Sequence, residues 1–366
     1  MRADIFCRVI DNYGDIGVCW RLARQLAREH GWRVRLWVDD LSVMTRLAPQ
    51  VDPKAASQRA DGVDIVHWTR PAAPLAPGDV VIEAFACDPP VEFVQRMRDQ
   101  VRPPVWVNLE YLSAEPWVET CHALPSPQPG GLRKYFFFPG FTAATGGLLR
   151  ERGLLAERDA LQGDPAARAA FLRGAGLPEP LAGERLVTLF CYPDAPASAL
   201  ADVLAGGDTP TLLAIPPGVA PYLAAGTRGR LRIARAPFLP QADYDRLLWS
   251  ADLNFVRGED SFVRAQWAAR PMVWHIYPQA EAAHVDKLEA WLRRYPAPAP
   301  ASALQTAWNG DAGAARFPGL LAEALSPAVF GPWREAARAW SGSLAAQPDL
   351  ATQLTGFCQA RQENHA

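Results

Sequence analysis

Two short stretches of this 366-residue chain gather acids, glycines and a guanidinium in patterns that chemistry can use. The first is Asp11-Asn12-Tyr13-Gly14-Asp15-Ile16-Gly17, where two carboxylates share one small loop. Carboxylates held close together split their pKa values, so that one serves as a base while the other orients or stabilises a cation. Gly14 and Gly17 permit a tight turn and a close approach of backbone to a ligand, with Asn12 and Tyr13 between the acids as further candidate contacts. The loop is not the GxGxxG dinucleotide fingerprint, which lacks such acids. A plainer reading makes Asp11 a turn residue and Asp15 a helix cap.

The second stretch is Arg257-Gly258-Glu259-Asp260-Ser261, between an apolar strand pattern and a helical one (Phe262 to Ala269). Free N–H groups at a helix start, the positive end of its dipole, a glycine and a planar guanidinium together suit a phosphate. Glu259 and Asp260 repel such an anion unless they turn to a ribose, the sugar or a cation, and the plainer alternative is a Ser/Asp helix cap. Phe190 and Tyr192 end another strand pattern, and Gln241 to Tyr244 opens a helical one, both offering aromatic faces for a flat base. Asp243 and Asp245 have metal-binding DxD spacing, but in a helix over Gln241 to Ser250 they point about 200° apart. No Cys/His cluster has zinc spacing, His275 and His284 make no ligand pair, and no GxSxG elbow supports a hydrolase. No metal is expected.

Both stretches need a scaffold that brings loops to one edge. Short apolar runs at Ile5 to Ile10, Val34 to Val38, Ile65 to Trp68, Val80 to Phe85 and Val105 to Leu109 alternate with helix-length amphipathic stretches. That alternation predicts a parallel sheet covered by helices, with ligands at the carboxyl ends of the strands. A helix over Val18 to His30 follows the acid-bearing loop. A second series runs through Leu186 to Tyr192, Leu212 to Ile215, Leu231 to Ala234, Leu253 to Val256 and Met272 to Tyr277. The chain therefore reads as α/β with two similar halves, residues 1–178 and 179–344, and a terminal helix in 345–366 that completes the first.

Composition narrows the partners. Lys+Arg number 37 and Asp+Glu 39, so there is no global field for nucleic acid or anionic lipid. The opening residues lack an export signal and no apolar stretch reaches the length of a membrane span. The six cysteines form no CxxC pair and read as reduced core thiols, so a cytoplasmic protein is expected.

Asp11 to Arg24 and Arg257 to Trp267 resemble the protein-arginine rhamnosyltransferases of the EarP family, as do Val105 to Leu112, Phe136 to Gly140 and Met272 to Gln279. The resemblance implies a glycosyltransferase-B fold, two Rossmann-like domains facing a central cleft. It implies dTDP-β-L-rhamnose as co-substrate with no further cofactor, and as acceptor an arginine of translation elongation factor P, which is thereby activated for ribosomes stalled at polyproline. By the same resemblance Asp15, Asp11 and Glu259 are essential, and Phe190, Tyr192, Gln241, Tyr244, Arg257, Asp260 and Ser261 hold the nucleotide. The donor then belongs to the second domain and the acceptor protein to the first. The residues alone leave open a non-catalytic nucleotide-sugar or protein-binding module, or a transferase of this fold acting on another acceptor.

Overall fold

The computed structural model describes residues 1–10, 13–69, 73–278, 283–310 and 315–363. The chain forms two compact units, Met1–Arg152 with Ala345–Ala366, and Gly153–Leu344.

The first unit runs β1 (Arg2–Cys7), α1 (Gly14–Glu29), β2 (Arg33–Val38), α2 (Leu41–Leu47), β3 (Ser57–Ala60), β4 (Val63–His67), β5 (Val80–Ala84), α3 (Val91–Arg98), β6 (Val105–Leu109), α4 (Trp117–Cys121), β7 (Pro125–Pro127) and β8 (Arg133–Phe137). Its sheet has the order β3-β4-β2-β1-β5-β6-β8-β7. Neighbours are parallel except at the two edges, where β3 and β7 run antiparallel. Strand alternation sends Ile5 and Cys7 into a core shared with Trp20, Leu26 and the C-terminal helix residues Leu350, Leu354 and Cys358. Phe6 points to the other face, among Trp37, Trp68, Phe93 and Trp106. Each face of the central strands is thus buried, which is why they read as continuous apolar runs.

The second unit runs α5 (Leu154–Gly163), α6 (Pro165–Gly174), β9 (Arg185–Leu189), α7 (Ala197–Gly206), β10 (Thr211–Ile215), β11 (Gly226–Arg228), β12 (Leu231–Arg235), α8 (Gln241–Ser250), β13 (Leu253–Arg257), α9 (Asp260–Ala268), β14 (Met272–His275), α10 (Ala283–Leu292), α11 (Ala299–Trp308), α12 (Phe317–Ala324) and α13 (Pro327–Ala345). Its sheet order is β11-β12-β10-β9-β13-β14, with only β11 antiparallel. The outer edge of β14 is covered by side chains that imitate a strand. Gln305 accepts from the Trp274 N–H at 2.9 Å, and Asn309 accepts from the Ile276 N–H at 2.9 Å while donating to the Trp274 carbonyl at 2.7 Å.

The break between units falls at Arg152–Gly153 rather than at 178–179. Helices α5 and α6 belong with the second sheet because Gln162 donates to the carbonyls of Trp249 and Ala268, Arg168 donates to that of Ser250, and Leu172 is buried with Leu186, Leu212 and Leu247. The first strand also ends at Cys7, three residues before the apolar pattern does, and α1 begins at Gly14 rather than Val18. The Val9 N–H is taken by the Asp39 carboxylate at 2.9 Å and the Ile10 N–H by that of Asp15 at 2.8 Å, which turns the chain off the sheet.

Candidate functional site

In the first unit the carboxyl edge of the sheet is built around Asp15. The residue lies in the first turn of α1 and is 2% exposed, although it carries a carboxylate. Its Oδ2 accepts from the Ile10 N–H at 2.8 Å and its Oδ1 from the Tyr111 hydroxyl at 3.2 Å. Tyr111, just past β6, stacks on Phe85, just past β5, with ring centroids 4.2 Å apart and planes at 13°. Phe85 and Ala86 hold positive φ values of 58° and 53°. Such backbone costs about 1–3 kcal/mol per residue and persists only where neighbours enforce it. Here the end of β6 does so, since Phe85 donates to the Leu109 carbonyl at 2.7 Å and Ala86 to Asn108 Oδ1 at 3.0 Å. Three strand ends therefore fix one buried carboxylate at the edge where open parallel sheets in general take their ligands.

Asp11 and Asn12 lie outside the described residues. Tyr13 is the N-cap of α1, and Gly14 and Gly17 lie inside the helix without positive φ, so their value is not turn freedom. Gly17 is buried, and its N–H goes to the Tyr13 carbonyl at 2.9 Å as an ordinary helical bond. Gly14 instead belongs to the first turn, whose N–H groups lack intrahelical acceptors.

In the second unit the residues singled out from the sequence meet at the carboxyl ends of β9 and β13. The Arg257 guanidinium lies 4.4 Å from the Phe190 ring centroid and 4.7 Å from that of Tyr192, and donates to the Cys191 carbonyl at 3.2 Å. It is thereby held among the aromatics as well as at the turn, with most of its five N–H groups not spent on that carbonyl. Tyr244 meets Phe190 edge-on at 6.1 Å, and burial pushes its phenol well above the ordinary tyrosine range, with Ser261 opposing. Gln241, the first residue of α8, is buried about one turn before Tyr244. Helix α9 starts at Asp260, two residues earlier than its apolar pattern, with Ser261 second. Glu259 takes the cap position without a side-chain cap bond, so the carboxylate is not the capping device. Gly258 precedes it at φ 64°, a turn that a Cβ would strain.

Asp243 and Asp245 take different partners, as their angular separation on α8 requires. Asp243 pairs with Arg246 at 3.2 Å on the surface. Asp245 turns inward to a two-point pair with the buried Arg264 of α9, at 3.0 and 2.7 Å. Among the described residues no group of three His, Cys, Asp or Glu side chains is placed to hold a metal.

Three residues of these edges have no role in the sequence reading. Tyr111 and His275 stand within stretches that carry the family resemblance, and Tyr277, 44% exposed, meets Tyr192 edge-on at 5.6 Å. His275 is 3% exposed, its Nδ1 accepting from the Tyr192 N–H at 3.2 Å. Burial pushes this imidazole down to about 4, with Asp194 opposing and Arg257 and His284 adding to the fall. A histidine depressed in the folded state contributes stability that is complete above its unfolded value of 6.5 and is lost as pH falls through the window toward the folded one. The second unit is therefore expected to lose about 2 kcal/mol between pH 6.5 and pH 5 from this group. Urea midpoints across that range check it: the limb should flatten in His275→Asn, and a wild-type-like limb in that variant removes His275 as its cause.

A family model described as Elongation-Factor P (EF-P) rhamnosyltransferase EarP matches residues 3–359. The chain belongs to the EarP family. A protein-arginine rhamnosyltransferase of Pseudomonas putida is 52% identical over 373 residues, covering 97% of each chain. Its counterpart in Pseudomonas aeruginosa is 50% identical over 374 residues, covering 97% of this chain and 98% of the other. A solved structure described as the structural basis for EarP-mediated arginine glycosylation of translation elongation factor EF-P is 37% identical, with a TM-score of 0.65 and coverage of 98% and 99%. MurG of Acinetobacter baumannii, 14% identical with a TM-score of 0.54 over 98% and 99% of the two chains, shares the fold alone. With two parallel-dominated sheets flanked by helices, the EarP-family chain has the glycosyltransferase-B architecture.

Proposed function

We propose that this chain moves L-rhamnose from dTDP-β-L-rhamnose to an arginine side chain of translation elongation factor P, inverting the anomeric carbon. Membership of the EarP family supports the donor sugar and the acceptor; the observation that carries the chemistry is the buried carboxylate of Asp15, fixed from three strand ends. An arginine guanidinium is protonated in water, with a pKa of roughly 12 or more, so its nitrogen attacks only once a carboxylate has localised or removed a proton. Asp15 takes that proton. Asp11 helps to hold the guanidinium, and Glu259 is the third acid that the family resemblance makes essential. A single displacement, opposite the leaving diphosphate, inverts the carbon and needs no covalent enzyme intermediate.

The departing dTDP carries its charge away as a stabilised anion, so it needs electrophilic help rather than an acid. Backbone N–H groups at the start of α9, Ser261 and the Arg257 guanidinium supply it. Phe190, Tyr192 and Tyr244 offer rings to the thymine, and Gln241 an amide to its edge. The compartment we propose is the cytoplasm, where a translation factor works. Burial pushes the Cys7, Cys87, Cys191 and Cys358 thiols up, as suits cysteines that stay reduced. Among the described residues no helix is long and apolar enough to cross a membrane.

Intact-mass analysis of purified elongation factor P, incubated with the enzyme and dTDP-rhamnose, tests the reading. A gain of one deoxyhexose is expected, and no gain with well-folded components overturns it. Because the leaving anion is met by dipoles and a guanidinium, the gain should persist in excess EDTA; strong inhibition reversed by a divalent ion would contradict that.

Arg257→Ala removes a charged donor worth about 1.5–3 kcal/mol, so dTDP-rhamnose affinity should fall by about one to two decades. Ser261→Ala should cost less, because backbone amides remain. Binding of unmodified elongation factor P should hardly change in either variant, as calorimetric titration with each substrate can show. Weakened elongation factor P binding with unchanged donor affinity would reverse the assignment of substrates to units.

A further inference from the structure

Taking the second unit as the nucleotide-sugar site, we propose that His275 is a positioning residue for the donor, holding with its ring and its own main chain the two loops between which the nucleotide sits. It ends β14, opposite Arg257 in the strand register. Its carbonyl accepts from the Gly258 N–H at 3.2 Å, on the turn that leads into α9. Its ring lies past the end of β13, where Nδ1 accepts from the Tyr192 N–H at 3.2 Å, on the loop after β9. One residue thus bonds to both segments that carry the candidate donor contacts.

The side-chain contacts continue the same link. The Tyr192 ring stands edge-on to the imidazole at 5.1 Å, and on its own face carries the Arg257 guanidinium at 4.7 Å, which also lies over Phe190. Behind the imidazole, Trp308 of α11 closes the core at 6.0 Å. If Nδ1 is taken away, the Tyr192 N–H loses its buried acceptor and the loop must move to find another, carrying Tyr192 and the Cys191 carbonyl that Arg257 uses.

Only a neutral ring can accept at Nδ1, and its proton then sits on Nε2, which faces Asp194 Oδ1 at 3.7 Å. Burial provides that state, since it keeps the imidazole neutral well below physiological pH. His275 touches no reacting atom in this scheme. It sets where the aromatic platform and the guanidinium stand relative to the glycine turn.

Two amide substitutions separate the acceptor from mere bulk. In His275→Asn the amide oxygen can reach the place of Nδ1, whereas in His275→Gln the amide lies near the place of Nε2 and leaves the Tyr192 N–H without its partner. Calorimetric titration with dTDP should show about a tenfold or greater loss of affinity in His275→Gln and recovery to within about threefold of wild type in His275→Asn. The KM for elongation factor P should be unchanged in both. Nitrogen-15 spectra of the wild-type ring at pH 7 should show an unprotonated Nδ1.

Equal losses in the two variants, no loss in either, or a protonated Nδ1 overturn the assignment. Wild-type protein that fails to bind dTDP sinks the donor-site reading itself, a different result. Should His275→Gln not fold, the nitrogen spectrum and His275→Asn decide: a protonated Nδ1 or a tenfold loss in that variant overturns the proposal.

Discussion

Asp15→Asn is expected to lower rhamnosyl transfer by about two to four orders of magnitude while dTDP-rhamnose still binds. An amide fills the space of the carboxylate but cannot take the guanidinium proton, so the loss falls on turnover rather than on the donor, for which we propose the second unit. A stability effect should accompany it. The two Asp15 oxygens accept from two different donors, the Ile10 N–H and the Tyr111 hydroxyl, and an amide offers only one acceptor atom. The amide oxygen can keep the Ile10 N–H, but the Tyr111 hydroxyl must then turn to accept from the amide nitrogen, and exchanging charged hydrogen bonds for neutral ones costs about 1 kcal/mol. Tyr111→Phe separates the two effects, since it removes one bond to the carboxylate and keeps the base; its turnover should fall far less. Mass-shift kinetics beside calorimetry with dTDP-rhamnose decide the matter, and wild-type-like turnover in Asp15→Asn removes that residue from the role of base.

That Asp15 could be suspected from sequence, and Tyr111 not, reflects how far apart in the chain the partners of a site stand. The acids and glycines of residues 11–17 and 257–261 are local patterns, visible in one window, and α8 runs over the same residues, Gln241–Ser250, that its periodicity indicates. By contrast, Tyr111 meets Asp15 across 96 positions and His275 meets Tyr192 across 83. Each alone is one more aromatic or histidine after a strand, and only the order of strands in the sheet gives it a neighbour. The same limit explains the edge strands. β3 (Ser-Gln-Arg-Ala) and β7 (Pro-Ser-Pro) are polar or proline-bearing because they border the sheet, so they lack the apolar run that marks an inner strand. β8 is misleading for another reason: its Lys134 pairs with Glu83 of β5 at 2.7 Å, so a charge appears where burial calls for an apolar residue. At β1 the apolar pattern overruns the strand, because Val9 and Ile10 continue it while two carboxylates take their N–H groups.

The pair Asp245–Arg264 joins α8 to α9, and Asp245→Leu is expected to destabilise the second unit by about 3–5 kcal/mol. Both side chains are nearly inaccessible, at 4% and 1%, so the substitution takes a carboxylate from a guanidinium that stays buried. Two charged hydrogen bonds at 3.0 and 2.7 Å are lost with it. Much of the cost comes from a buried charge deprived of this carboxylate rather than from the value of the pair, and so Asp245→Leu combined with Arg264→Met should recover most of the lost stability. Urea unfolding measures this as a midpoint that falls in the single variant and returns in the double one, with the slope unchanged. The recovered double variant then shows what else the pair does. Asp245 sits on α8 with Gln241 and Tyr244, and Arg264 on α9 with Asp260 and Ser261, the residues we propose for the donor, so two-point geometry fixes the rotation of one helix against the other. Apolar packing restores contact without that angular constraint. The double variant should therefore fold and yet bind dTDP about tenfold more weakly. Full dTDP affinity in a stable double variant would show that the ion pair serves the core alone, leaving the alignment of α8 and α9 to the surrounding apolar contacts.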